Sequence, residues 1–517
     1  MRLLNKIVRT VKNHNSDSPY PYMLFYLGLF IILFLYLGLD FIVYKGPFGV
    51  HFMRQTDSLS FASNYFNNGF HFFKPQLYTL YNFDGRAACE FPITYYLSAL
   101  IYKIVGKQFY VLRFIHLVIS YLGVFYTFKL SKIVIKDNVY SILISLIFFT
   151  SSVFNYYSFN YLPDAPALGF ALMGWFFIIK SLDDESEKLV FPGFVFFTLS
   201  GLIKVTYLIN PIAVLMLGLI SEVFYKQKKL IKTDSRIVLY GFLTLLTVGF
   251  WNMYMLWYNE VNHSHSFNTK ALPIWLMRKN GILQVWEYFT HYWYSSYLYK
   301  TTFHLFYLSL ITLLVFNQKL RKSAAIILIF LALGSLSYFM LFFKQFKDHD
   351  YYFLAFFPLI FLVIIYSIYI YKRFITNKSL HLVAKVILLL IVAFGINHSQ
   401  KKMNERLVEN KIDNKFRLGL LINENKQGVD SLKIDKNAKF IVAPENCANG
   451  ALLYLDRRGW AIPEVSELTA KTILDFYRKG AQYLLVADDD FSMPADLCYK
   501  QIYGKNGLRI FDLTCSK

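Results

Sequence analysis

Phe91-Pro-Ile-Thr-Tyr-Tyr-Leu-Ser-Ala-Leu-Ile-Tyr-Lys-Ile-Val105 is the stretch on which the architecture turns. It is apolar enough to enter a bilayer, yet shorter than the roughly 17–25 residues that cross a hydrocarbon core of about 30 Å as a helix. If 92–105 crossed, the turn holding Lys129, Lys132 and Lys136 would lie outside, and every later basic loop would flip with it. The loops at 226–232, 319–322 and 372–378, all rich in Lys and Arg, fall on the cytoplasmic side only when 92–105 lies along the interface. The segment 45–108 then becomes one long external loop with an embedded juxtamembrane helix.

The rest of the chain has the composition this reading needs. Its 517 residues are 56% hydrophobic and 19% aromatic, with a mean hydropathy of +0.38, more apolar surface than one or two soluble cores could bury. The surplus lies in repeated apolar stretches at 22–44, 109–130, 139–156, 165–181, 189–203, 205–225, 236–257, 301–317, 323–343, 351–371 and 380–397, about eleven crossings by length. The expected fold is an α-helical polytopic membrane protein. The net charge of +21 sits in short loops between spans, where the positive-inside rule accounts for it and no nucleic-acid partner is needed. Residues 1–21 are basic and precede a span too long for a signal-peptide core, so they read as a retained cytoplasmic start.

The same charge bookkeeping places Asn155–Asp164, the Trp- and Tyr-rich loop 258–300, the segment 344–352 and everything after 397 on the external face. The tail 398–517 is a different kind of sequence. Buried-strand runs at 439–443, 482–487 and 508–513 alternate with helical stretches at 450–457 and 470–479, which predicts a small α/β domain. Four cysteines match no zinc spacing, and a tail disulfide is one open outcome for Cys447, Cys498 and Cys515.

Ionisable residues are costly at the ends of apolar spans and so need an account. On the external side they are Asp57 with Arg54, Glu90 before Pro92, Asp164 after Pro163, Lys204 between two apolar stretches, and the cluster Lys344, Lys347, Asp348, His349 and Asp350. Asp57 could also cap the helical stretch 58–67 that follows it.

In order and spacing these residues resemble the GT-C glycosyltransferases, in particular the branch of protein O-mannosyltransferases and aminoarabinose transferases. The matching motifs are Asp57 early in a large external loop, Glu90-Phe-Pro-Ile-Thr-Tyr-Tyr96, the run from Gly106 to Arg113, Tyr161-Leu-Pro-Asp-Ala-Pro166, the stretch Ser200–Pro211 around Lys204, and His349-Asp-Tyr-Tyr352. The resemblance covers roughly 20–400, and Asn449–Trp460 is similar to a segment in tails of bacterial members. It departs at Ser58, where the family often has a second acidic residue, and at Lys74-Pro-Gln-Leu77, well before Glu90.

The resemblance implies transfer of a hexose or pentose from a polyprenyl-phosphate donor to an envelope lipid, glycan or protein, in the bacterial inner membrane with an extracytoplasmic site. The domains would be 1–21 cytoplasmic, 22–397 catalytic and 398–517 extracytoplasmic. Such transfer needs a base for the acceptor, in-line inverting attack at the anomeric carbon, and cations on the leaving phosphate. Asp57 is the expected base, with Asp164 and Glu90 as further catalytic candidates. Arg54, Arg113, Lys204, Lys347, His349 and Tyr351 are the expected substrate-binding residues. No cofactor is expected with certainty; a divalent cation on Asp57, Asp164 and His349 stays open, without supporting ligand spacing. The competing readings are a secondary transporter and a flippase or ligase of envelope polysaccharide precursors. Transporters carry inverted repeats and charges at mid-membrane; here the ionisable residues gather at one face.

Overall fold

The computed structural model describes residues 20–225, 230–232, 234–267, 271–408 and 417–514. Each expected span contains a helix. Seven helices are long and apolar enough to cross a membrane, or eight if one bent pair counts as a span, and Pro21–Tyr36, Ile93–Val105 and Lys300–Val315 are shorter apolar helices.

Two expected spans take a different form. The first helix stops at Tyr36, short of 44, because Gly38 adopts a left-handed φ of 71° that ends it. The stretch 139–156 is broken rather than continuous: Asn138–Thr150 and Ser152–Ser158 meet at 82°. Ser151 is extended there and its hydroxyl accepts from the Phe154 amide at 3.0 Å, so a Ser-rich triplet starts a new helix where the sequence had suggested continuity.

Membrane helices pack through close backbone approach, since lipid offers no hydrophobic drive between them. Tyr110–Ile135 and Asp164–Asp184 show this best. A Cβ on Gly123 would stand 2.6 Å from the Gly169 Cα, so only glycine permits this approach.

The stretch expected at the interface forms the 13-residue helix Ile93–Val105. It buries Thr94, Tyr95, Ser98, Ala99 and Tyr102 and leaves Leu97, Leu100, Ile104 and Val105 exposed. The buried face lies on helix Phe52–Asn67, which contains Asp57, and the exposed apolar face suits the interface.

The long helix Lys378–Val408 runs through the expected boundary at 397/398, and the sheet-bearing unit follows it. Its five strands are β1 (Lys439–Ala443), β2 (Gly459–Ala461), β3 (Ala481–Val486), β4 (Lys500–Lys505) and β5 (Leu508–Asp512), in the order β2-β1-β3-β5-β4. β1 pairs in parallel with β2 and β3, while β5 is antiparallel to β3 and β4. Cys498 is disulfide-bonded, whereas Cys89 and Cys447 are free thiols. The domain is fastened to the segment 45–108. The Leu80 amide donates to Gly459, the Gly459 amide donates to Tyr78, and Tyr454 donates to the Pro47 carbonyl at 3.1 Å.

Candidate active site

A cavity of about 870 Å³ opens where the segment after the first helix meets the helix ends. Asp57, Arg54, Glu90, Lys204, His349 and Tyr351 all line it. They come from helix Phe52–Asn67, the loop before Ile93–Val105, the break after Val190–Ile203, and the segment before Phe357–Phe374. Asp57 lies inside its helix rather than at the cap.

Arg54 sits one turn before Asp57 and pairs with Glu90, whose carboxylate also accepts from Tyr95. Burial alone would raise Glu90, but the Arg54 guanidinium and its hydrogen bonds hold it down at about 2, so it stays ionised. Asp57 is the opposite case. Burial pushes it up to about 6, against the pull of Arg54 and of a hydrogen bond from Asn449 Nδ2 at 2.8 Å. Two carboxylates thus share one cavity, one fixed as an anion and one poised to exchange a proton. Arg54 Nη1 has no hydrogen-bond partner among the described residues.

On another wall Lys204 lies over the Tyr352 and Tyr351 rings at 4.9 and 5.3 Å. Its Nζ is 3.1 Å from Asp164 Oδ1. Asp164 itself is buried at the start of Asp164–Asp184 and does not line the cavity; it reaches the site through Lys204.

His349 is held neutral: burial, then His51 and Lys204, push its imidazole down to about 3. His51 lines the same wall, with its ring centroid 5.2 Å from that of His349 and its Nε2 3.5 Å from Asp350 Oδ1. Tyr157 and Arg406 hold the fully buried Asp350 at 2.6 Å each. His51 takes a left-handed φ of 60° just before the Asp57 helix, an uncommon conformation for a residue with a side chain.

Two expected substrate-binding residues lie elsewhere. Arg113 is fully buried and donates to the carbonyls of Ile42, Lys45 and Gly46, with Tyr161 4.3 Å from its guanidinium. It ties down the chain after the first helix. Lys347 sits over the Tyr288 ring at 5.4 Å, and its carbonyl accepts from Trp293.

The donor set does not suit a cation. Among the described residues no three His, Cys, Asp or Glu side chains converge as a metal site. Asp57 accepts from Asn449, Glu90 is occupied by Arg54 and Tyr95, and Asp164 is paired with Lys204.

The residues that sequence reasoning missed are His51, Asn449 and Tyr352. His51 stood in the run with Asp57 without an apolar end to mark it, and Asn449 is 392 positions from the carboxylate it bonds. Tyr352 adjoins Tyr351 in a motif already singled out.

Residues 90–251 match a family model described as dolichyl-phosphate-mannose-protein mannosyltransferase. That segment contains Glu90, Asp164 and Lys204. No curated protein matches the chain by sequence. Among solved structures, ArnT from Cupriavidus metallidurans in the apo state superposes with a TM-score of 0.60 at 9% identity, covering 96% of this chain and 98% of that one. The oligosaccharyltransferase of Archaeoglobus fulgidus, in a complex with Zn and sulfate, gives 0.52 at 12% identity, over 88% of this chain and 68% of that one. The same enzyme tethered to an acceptor peptide containing the NVT sequon gives 0.54 at 9% identity, over 89% and 69%.

Proposed function

We propose that this chain, a membrane protein with the fold of the GT-C glycosyltransferases, moves a sugar from a polyprenyl-phosphate donor to a cell-envelope acceptor at its external face. The observation that carries the reading is the convergence of Asp57, Arg54, Glu90 and Lys204 on one cavity beside an apolar helix. An amphiphilic donor needs that combination: apolar surface for the polyprenyl chain, cations for the phosphate, and a base near the anomeric carbon.

In the proposed reaction Asp57 accepts the proton of the acceptor hydroxyl or amine as that group attacks the anomeric carbon. The bond from that carbon to the phosphate oxygen breaks in line, with inversion, and the polyprenyl phosphate leaves carrying the electron pair. Lys204 and the unpartnered Nη1 of Arg54 stabilise the charge gathering on the phosphate. Glu90 keeps Arg54 oriented, and Asp164 does the same for Lys204. His349, neutral, offers a hydrogen bond without adding charge.

The extracytoplasmic orientation is supported by a second cavity of about 330 Å³, lined by Lys136, Arg321, Lys372 and Arg373. Three loops that the charge rule assigns to the cytoplasm therefore meet at one place. The test is to supply the purified protein with a labelled polyprenyl-phosphate sugar mixture and membrane lipids. Appearance of label on an acceptor together with free polyprenyl phosphate is the expected outcome; donor that is only translocated, chemically intact, between leaflets of proteoliposomes would replace this reading with a flippase.

A further inference from the structure

We infer that Asn449, in the C-terminal domain, is a positioning residue for Asp57, so that the external domain completes the active site. This rests on the reading of Asp57 as the base. Asn449 directly precedes helix Gly450–Leu455, where an asparagine side chain ordinarily caps its own helix. Here it makes no capping bond. Instead Nδ2 donates to Asp57 Oδ1 at 2.8 Å, and Oδ1 accepts from the Thr79 amide at 2.9 Å. The side chain is 1% exposed, so water does not compete for either bond.

The loop that presents Asn449 is built around a second buried carboxyl. Glu445 accepts from the amides of Cys447 and Ala451, each at 2.8 Å, which folds 445–451 back on itself. Cys447 Sγ lies 3.2 Å from Thr56 Oγ1, directly beside Asp57 in sequence. A Cβ on Gly450 would meet Glu445 Oε2 at 2.8 Å and the Phe52 ring at 3.1 Å, so glycine is what lets this helix start lie against the Asp57 helix. Three contacts from one domain thus bear on two adjacent turns of the helix that carries the base.

The charged and titratable groups around Asp57 are Arg54 on its own helix, Glu90 from the loop before Ile93–Val105, and, from the external domain, Cys447 and Glu445, which burial pushes up to about 7. Arg54, though paired with Glu90, lowers Asp57 more than Glu90 raises it. The donor from Asn449 is what favours the ionised form from the domain side. Asn449 therefore fixes the Asp57 rotamer and keeps its proton affinity low enough to release the proton at neutral pH.

The decisive variants are Asn449→Leu and Asn449→Ala, which remove the donor to Asp57 without placing a charge beside it. Carbodiimide with glycinamide labels protonated carboxyls, and peptide mass spectrometry of Asp57 across pH 4.5 to 8.5 reads its ionisation without any donor substrate. In wild type the labelling midpoint should lie near 6. In both variants it should move up by about one pH unit, a tenfold change in the protonated fraction at neutral pH. The acid limb of any transfer activity should move with it. A wild-type midpoint in either variant overturns the inference. Transfer that survives in Asp57→Asn overturns the functional reading instead, and the labelling midpoint still decides the role of Asn449.

Discussion

Replacing Lys204 by glutamine separates two duties of one side chain. Lys204 pairs with Asp164 at 3.1 Å, and Asp164 is only 3% exposed. Removing the cation leaves that carboxylate buried and uncompensated. Breaking such a pair costs about 3–5 kcal/mol, and the partial exposure of Lys204 puts this case at the lower end. In the proposed reaction the same ammonium also contacts the leaving phosphate, where a charge-assisted hydrogen bond contributes about 1.5–3 kcal/mol, or about 10- to 150-fold in rate at roughly 1.36 kcal/mol per tenfold. Adding Asp164→Asn removes the uncompensated charge without restoring the cation. Thermal unfolding in detergent and transfer rate should therefore part company. Lys204→Gln loses both, whereas the double variant recovers most of the stability and stays slow by about one to two orders of magnitude. If transfer returns together with stability in the double variant, Lys204 serves Asp164 alone and the phosphate assignment is wrong.

Three further outcomes follow from the same geometry. The rate should rise with pH along a single ionisation near 6, because Asp57 must lose its proton to act as base, while Glu90 at about 2 and His349 at about 3 do not change charge above pH 4; a kcat/KM profile flat from pH 5 to 7 would contradict it. Arg113→Met removes a buried guanidinium that donates to the Ile42, Lys45 and Gly46 carbonyls; Ile42 keeps the Lys45 amide and Lys45 keeps Tyr161, so the Gly46 carbonyl is the one left without its donor, at about 1–3 kcal/mol, and the unfolding temperature should fall while KM for the donor stays put. Gly169→Ala would push a methyl to 2.4 Å from the Ile119 carbonyl oxygen, an overpacking of about 1–3 kcal/mol that should appear as lower thermal stability; an unchanged melting curve would mean the helices are not in that contact.

How far the sequence reached depended on the kind of signal. Apolar runs near 20 residues and Lys/Arg-rich loops are read one segment at a time, which is why 93–105 emerged as a short helix lying on its neighbour. Ionisable groups at apolar ends stand out because burial penalises them, and five flagged on that basis line one cavity. What stayed hidden needed direction or distance. Arg113 lies on the same helix face as His116 and Ser120, all fully buried, so its helical phase points it inward to backbone carbonyls. The break at Ser151 came from a side-chain cap competing with a continuous apolar pattern. Asn449 and His51 owe their places to contacts across 392 and 299 positions, and no local pattern encodes those.

The central claim is that Asp57 is the base of a sugar transfer, and one comparison tests it most directly. Wild type and Asp57→Asn, which keeps the shape and the room for the Asn449 side chain, are given the same labelled polyprenyl-phosphate sugar, and donor binding is measured beside transfer. The prediction is retained donor binding with transfer reduced by about two to four orders of magnitude, the range general-base catalysis contributes. Equal transfer by both proteins would contradict it.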